Sequence, residues 1–281
     1  MPRKTTSPVV NGARPPVKET GPVTVPDFLA AKAQGRRLAT LTAYDYTMAR
    51  LLDAAGVDGI LVGDSLGMVV QGQETALGVT LDEMIYHTKL VARGIQRALL
   101  ITDMPFMSFQ VSPQQALESA GRVVKEAGAH AVKIEGGVRR VPVIEAIVSA
   151  DIPVMGHIGL TPQSVRRLGG FRVQRDEAKL IADAQAVEAA GAFAIVVECV
   201  PSATAEKITA AVKIPTIGIG AGAGCDGQIL VTHDMLGLFD DFKPRFAKQY
   251  ADIGRAILQA VEAYCKEVRE GTFPDAEHAF R

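Results

Sequence analysis

The sequence carries almost no surplus of charge: 30 Lys and Arg stand against 31 Asp and Glu, and no dense basic run occurs. The electrostatic footprint of a nucleic-acid-binding protein is therefore missing. Cysteine is scarce. Cys199, Cys225 and Cys265 are odd in number, widely spaced and form no C-x-x-C pair, which argues against a disulfide framework and fits free thiols in a reducing cytosol. Apolar runs are short, none approaching the roughly 20 residues needed to cross a bilayer. The N-terminal MPRKTTSPVVNGARPPVKETGP is basic but broken by Pro15, Pro16 and Pro22, so it lacks the continuous apolar stretch of a signal peptide. Residues 1–22 read as a mobile tail on a soluble, cytoplasmic protein. The remaining composition, 48% hydrophobic and 22% charged, can bury a sizeable core and is unlike that of a disordered chain.

From residue 37 one phrase recurs: a short apolar, β-branched run, a polar or glycine-rich turn, then an Ala-rich segment with helical spacing. The runs are 37–45, 59–65, 98–106, 131–137, 153–160, 192–200, 215–222 and, less clearly delimited, 228–236. Ala55-Gly56, Ala127-Gly128 and Ala190-Gly191 precede three of them, as helix-stopping glycines do. Near-continuous apolar strands indicate a parallel sheet covered on both faces. Eight of them without a domain linker predict a single (β/α)₈ TIM barrel over 23–281, with residues 243–281 forming a C-terminal helical cap.

In such a barrel the active site lies at the carboxyl ends of the strands. Here those ends are rich in ionisable groups: Asp45, Asp64-Ser65, Asp103, Lys133-x-Glu135, His157 and Glu198. Each has a plainer reading. Asp45, before Tyr-Thr-Met-Ala, looks like a helix N-cap; Lys133 and Glu135 could be a simple ion pair, and His157 a hydrogen-bonded core residue. Glu198 is different, because an unpartnered carboxylate after Ile195-Val196-Val197 is expensive to bury. Hard oxygen ligands without a Cys/His cluster point to Mg²⁺, with Asp64, Asp103 and Glu135 as candidate ligands. Such an ion could chelate a 2-oxo acid and draw off charge as the neighbouring carbon loses a proton. Lys133 is then expected to stabilise the developing oxyanion. Glu198, placed on the opposite side of the rim, is expected to act as a base with a raised pKa, and Ser65 or its N–H to hold the substrate carboxylate. The glycine stretch 218–224 follows the seventh strand rather than opening a first βα unit, so a dinucleotide site is disfavoured. It either binds a phosphate or lets a ligand approach the backbone. The segment 168–174, LGGFRVQ, is either a lid or an ordinary loop.

Residues 41–46 (LTAYDY), 61–72 (LVGDSLGMVVQG), 86–94 (YHTKLVARG), 103–109 (DMPFMSF), 132–137 (VKIEGG), 156–165 (GHIGLTPQSV), 198–201 (ECVP), 214–222 (IPTIGIGAG) and 226–237 (DGQILVTHDMLG) occur in this order. Together they make the chain resemble the ketopantoate hydroxymethyltransferase family from about residue 23 onwards. The resemblance implies a barrel of the phosphoenolpyruvate/pyruvate type, Mg²⁺, and a homo-oligomer, a decamer in known bacterial members. It also implies transfer of a one-carbon unit from 5,10-methylenetetrahydrofolate to 3-methyl-2-oxobutanoate, giving 2-dehydropantoate for pantothenate and coenzyme A synthesis. It places metal ligands at Asp64, Asp103 and Glu135, substrate contacts at Asp64, Ser65, Asp103 and Lys133, and the proton acceptor at Glu198. His157 falls on the G-H-x-G-L-T-P-Q-S phrase and is expected to contact substrate. Two departures are visible: a long segment before residue 22, and Arg175 where glycine is common, which leaves the lid's shape open. The competing readings are a folate-independent lyase or mutase on another 2-oxo acid, and a binding protein whose rim acids are only helix caps.

Overall fold

In the computed structural model, which describes residues 21–239 and 243–280, the recurring apolar runs become eight short strands. They are β1 (Leu38–Thr42), β2 (Gly59–Val62), β3 (Leu99–Asp103), β4 (Ala131–Glu135), β5 (Val154–Gly159), β6 (Ala194–Glu198), β7 (Thr216–Ile219) and β8 (Gly227–Leu230). Each pairs in parallel with the next, and β8 returns to β1, closing the barrel. Closure leaves no open sheet edge.

Side chains two residues apart along a strand share a face, and this places the chemistry. In β3 the inward column is Leu99, Ile101, Asp103; in β4 it is Ala131, Lys133, Glu135; in β6 it is Ala194, Val196, Glu198. The apolar members of these columns join Leu61, Met155, Ile217 and Ile229 in one buried cluster inside the barrel. The alternate residues Val132, Ile134, Ile195 and Val197 lie in the cluster formed with the surrounding helices. Each of the three columns is therefore apolar at its base and ionisable at its carboxyl end.

The amino ends of the strands are closed by a helix that the repeat pattern did not reveal, Val25–Ala33. Thr24 and Asp27 form a capping box at its start. Phe28, fully buried, meets the Phe193 ring edge-on at 6.0 Å between centroids. Gly56 and Gly128 end their helices in the left-handed conformation, as the sequence predicts.

Two expectations require correction. The eighth run does not continue as a strand to residue 236. The hydroxyl of Thr232 donates to the Thr42 carbonyl at 2.6 Å, and Thr232–Leu236 is a helix. Only the start of the C-terminal stretch packs on the barrel, where Ala247 is buried and Arg245 and Phe246 line the cavity at its mouth; the helix Ile253–Glu270 that follows buries none of its residues. The expected tail lies mostly outside the described residues. No helix among those described is long and apolar enough to cross a membrane.

Candidate active site

A cavity of about 460 Å³ opens at the carboxyl ends of the strands. All seven expected site residues, Asp64, Ser65, Asp103, Lys133, Glu135, His157 and Glu198, line it. Asp45 does not; it caps the helix Tyr46–Ala55 by accepting from the Met48 N–H at 2.9 Å. Phe171 and Val173, from the 168–174 loop, also line the cavity.

Strand register brings the charged groups together. Asp103 pairs with Lys133, and Glu135 with His157. The ammonium of Lys133 lies 2.6 Å from Asp103 Oδ1 and 3.0 Å from His157 Nδ1. On the other side of the ring, His157 Nε2 lies 3.1 Å from Glu198 Oε2. Glu198 is thus not across the rim from Lys133. It stands two strands away, with the imidazole of β5 between them.

The electrostatics give this array a definite protonation pattern. Burial works against the charge of Lys133, but Asp103, Glu135 and Asp64 outweigh it and hold its pKa above the ordinary lysine value. Burial first, and then Lys133, hold His157 well below the usual histidine range. A neutral imidazole beside an ammonium must accept at Nδ1, which puts its proton on Nε2; that N–H lies close to Glu198 but makes no hydrogen bond among the described residues. Burial pushes the Glu198 carboxyl up to about 7, with only Lys133 acting in the other direction. Its side chain keeps 14% of its exposure, so it can meet a ligand in the cavity.

A second group of contacts was not foreseen from the sequence. Gln163, buried in the loop after β5, donates from Nε2 to Asp64 Oδ2 and to the Met104 carbonyl, both at 2.9 Å. Its backbone N–H donates to Glu135 Oε2 at 3.0 Å. The Asp64 N–H donates to Asp103 Oδ2 at 3.1 Å. Ser65 makes no side-chain cap for the short helix that follows it; its hydroxyl hydrogen-bonds with that of buried Tyr44 at 2.8 Å. Immediately after Glu198, Cys199 adopts φ 47, a strained backbone of the kind that gathers at functional sites. The C-V-P sequence around it gives no signal of that.

The donor set fits a hard divalent cation in chemistry rather than in preformed geometry. Among the described residues, no three Asp, Glu, His or Cys side chains already stand as a coordination sphere. Asp64 and Glu135 are engaged by Gln163, and Asp103 by Lys133. Yet three buried carboxylates face a single ammonium. Burial and then Asp103 push Asp64 up to about 7, while burial and then Asp64 hold Glu135 well above its usual range. Acids in that state are short of positive charge, which is what a dication supplies.

Comparison with known proteins agrees with this architecture. The sequence model of the family described as ketopantoate hydroxymethyltransferase matches residues 22–276. The 3-methyl-2-oxobutanoate hydroxymethyltransferase of Clostridium novyi is 58% identical over 262 residues, covering 92% of this chain and 95% of that protein. That of Moorella thermoacetica is 57% identical, covering 92% and 98%. Among solved structures, a phosphonopyruvate hydrolase superposes with a TM-score of 0.61 at 16% identity, covering 91% of this chain and 93% of the other. A 2,3-dimethylmalate lyase of the PEP mutase/isocitrate lyase superfamily superposes with a TM-score of 0.59 at 17% identity, covering 91% of each. These two likenesses establish the fold alone, a closed (β/α)₈ barrel. Sequence establishes the rest: the chain belongs to the ketopantoate hydroxymethyltransferase family, enzymes of pantothenate synthesis.

Proposed function

We propose that this enzyme joins the one-carbon unit of 5,10-methylenetetrahydrofolate to C3 of 3-methyl-2-oxobutanoate, consuming one water and releasing tetrahydrofolate and 2-dehydropantoate. The single observation that carries the reading is the contiguous Asp103, Lys133, His157, Glu198 array at the mouth of a closed apolar barrel. It provides a base, a neutral hydrogen-bonded ring and a fixed cation within one cavity.

The carbon that must lose a proton is tertiary and only weakly acidic. A carboxylate whose pKa lies near 7 is matched to that task, since it is ionised in part at neutral pH and basic enough to accept. Glu198 takes the C3 proton, with the Nε2 edge of His157 3.1 Å from its carboxylate. The electron pair of the broken C–H bond moves towards C2 and its oxygen, and the Lys133 ammonium, kept charged by its acidic neighbours, stabilises the charge gathering there. Ser65, oriented by Tyr44, binds the substrate carboxylate. Asp64, Asp103 and Glu135 are the residues that would hold Mg²⁺, which when bound supplies Lewis-acid withdrawal of charge from the 2-oxo acid. Phe171, Val173 and the aliphatic wall exclude water from the carbanion. Both C–N bonds of the donor's methylene carbon then break, their electron pairs staying on the folate nitrogens, as that carbon gains the oxygen of one water and a bond to C3. The two nitrogens end up with the proton taken from C3 and one from the water, giving tetrahydrofolate.

A reducing cytoplasm is the compartment that suits the enzyme's three free thiols. The protein is further expected to work as a homo-oligomer, a decamer by analogy with the resemblance above. The uncovered apolar face of the C-terminal helix, including Leu258 and Val261, supports self-association.

Product formation followed by NMR with and without the folate donor tests the reaction. New 2-dehydropantoate only when donor and divalent cation are both present is the expected result. Turnover of the 2-oxo acid to other products without folate would instead assign a lyase or mutase.

A further inference from the structure

The glycine-rich stretch after β7 takes no part in the proton chemistry, yet it walls a second cavity of about 1170 Å³. The two cavities are neighbours that share a wall: Val173, Cys199, Arg245 and Phe246 line both. Charge in the second has one sign: Arg37, Arg175 and Arg245 line it and no carboxylate does. Arg37 spends its hydrogen bonds on the Ala223 and Cys225 carbonyls. Arg175 and Arg245 have no hydrogen bond or ion pair among the described residues. The helix Ser202–Ala211 starts at this groove, and its N-cap, Pro201, provides no side-chain cap, so partial positive charge adds to that of the arginines. Glycine brings the backbone close here. A Cβ on Gly222 would stand 2.5 Å from Ser202 Cβ, and one on Gly220 2.8 Å from the Phe246 ring.

We propose that this groove seats the anionic oligo-γ-glutamyl tail of the one-carbon donor, with Arg175 and Arg245 as its carboxylate partners. The inference rests on the donor assigned under the proposed function and extends it to the part of the donor remote from the chemistry. A donor with its reactive end among Phe171, Val173 and Phe246 needs a seat for a polyanionic tail, and the adjoining cavity is cationic. Each added γ-linked glutamate brings one more carboxylate, and a guanidinium fork is the side chain best matched to that group. Binding energy gathered there is independent of the reacting bond, so it acts on donor affinity more than on kcat.

The experiment compares the steady-state KM of mono- and triglutamyl 5,10-methylenetetrahydrofolate in wild type, R175Q/R245Q and K125Q. Lys125 is exposed on the helix Pro113–Ala127, which lines neither cavity, so its substitution controls for a change in net charge. The wild type should favour the triglutamate, and R175Q/R245Q should lose that preference as the triglutamate KM rises about tenfold, the loss expected for one charge-assisted contact. K125Q should keep the wild-type preference. Equal KM values for the two donors in wild type, or a length preference that survives in R175Q/R245Q, would overturn the proposal. Inorganic phosphate that binds wild type and not the double variant, alongside equal donor KM values, would assign the groove to a phosphate instead. A wild type that uses no folate at all overturns the donor assignment itself, and this shows before any variant is compared.

Discussion

Gln163 is the residue whose importance was least visible in the sequence and most visible in the fold. One amide and one backbone N–H hold Asp64, Glu135 and the Met104 carbonyl in a common frame. Gln163→Leu keeps the bulk and removes the amide, leaving buried acceptors unsatisfied. It should lower stability by about 1–3 kcal/mol and lower kcat/KM by about 10–100-fold, as loss of an outer partner of a metal site does. Thermal unfolding and steady-state kinetics on the same preparation check both. Lys133→Met should be more severe, because it removes the cation from among three buried carboxylates. A loss of about 3 kcal/mol is expected for breaking such a pair, read from denaturant unfolding. The acids, Lys133 and His157 were legible because an ionisable residue ending an apolar run stands out. Gln163 and Tyr44 were not, since each is an uncharged polar residue outside the strands. The contacts of Gln163 with Met104 and Asp64 span 59 and 99 positions of sequence, a separation that no local pattern encodes.

The strands explain why the site sits where it does. In β4 the alternation of Ala131, Lys133 and Glu135 on one face with Val132 and Ile134 on the other makes a single element both a floor of the barrel and a carrier of two charges. Seven of the eight apolar runs were readable as strands because their turns and helix stops bracket them. The eighth was read too long, since Val231-Thr232-His233 has an acceptable strand composition, and the two hydrogen bonds that tie Thr232 to Thr42 where the helix begins join positions far apart in sequence. The first helix was missed because its partner, the bottom of the barrel, exists only after closure. Packing of strands on helices makes its own prediction. Gly156 of β5 faces the helix Glu177–Ala189, and a Cβ there would collide with Val187 Cγ1. Gly156→Ala should therefore destabilise the protein by about 1–3 kcal/mol through overpacking, measured as a fall in the denaturant midpoint. A variant as stable as wild type would mean that the helix can retreat without loss of contact.

At the scale of the molecule, three buried carboxylates with raised pKa values set an unusual pH response. Asp64 and Glu198 titrate near 7 in the native state, against ordinary values of 3.8 and 4.5. The native state therefore binds these protons more tightly than the unfolded chain does. The stability they contribute is complete below the ordinary carboxylate range and is lost as pH rises towards and through about 7. A cation bound by the ionised acids should reverse that trend. Mg²⁺ is predicted to raise the melting temperature more at pH 8 than at pH 5.5, and a shift of equal size at both would contradict the assignment. The same whole-molecule view leaves the helix Ile253–Glu270 with Leu258 64% and Val261 53% exposed, a face that self-association would cover. L258E/V261E should reduce the mass found by analytical ultracentrifugation, whereas an unchanged mass would place the subunit interface elsewhere.

The central claim is that Glu198 removes the C3 proton inside this cavity. Solvent-deuterium exchange at C3 of 3-methyl-2-oxobutanoate, followed by proton NMR before any folate is added, tests it most directly. The account predicts exchange that requires Mg²⁺, rises with pH through about 7 as Glu198 ionises, and collapses in Glu198→Gln. Exchange in that variant at the wild-type rate would contradict it.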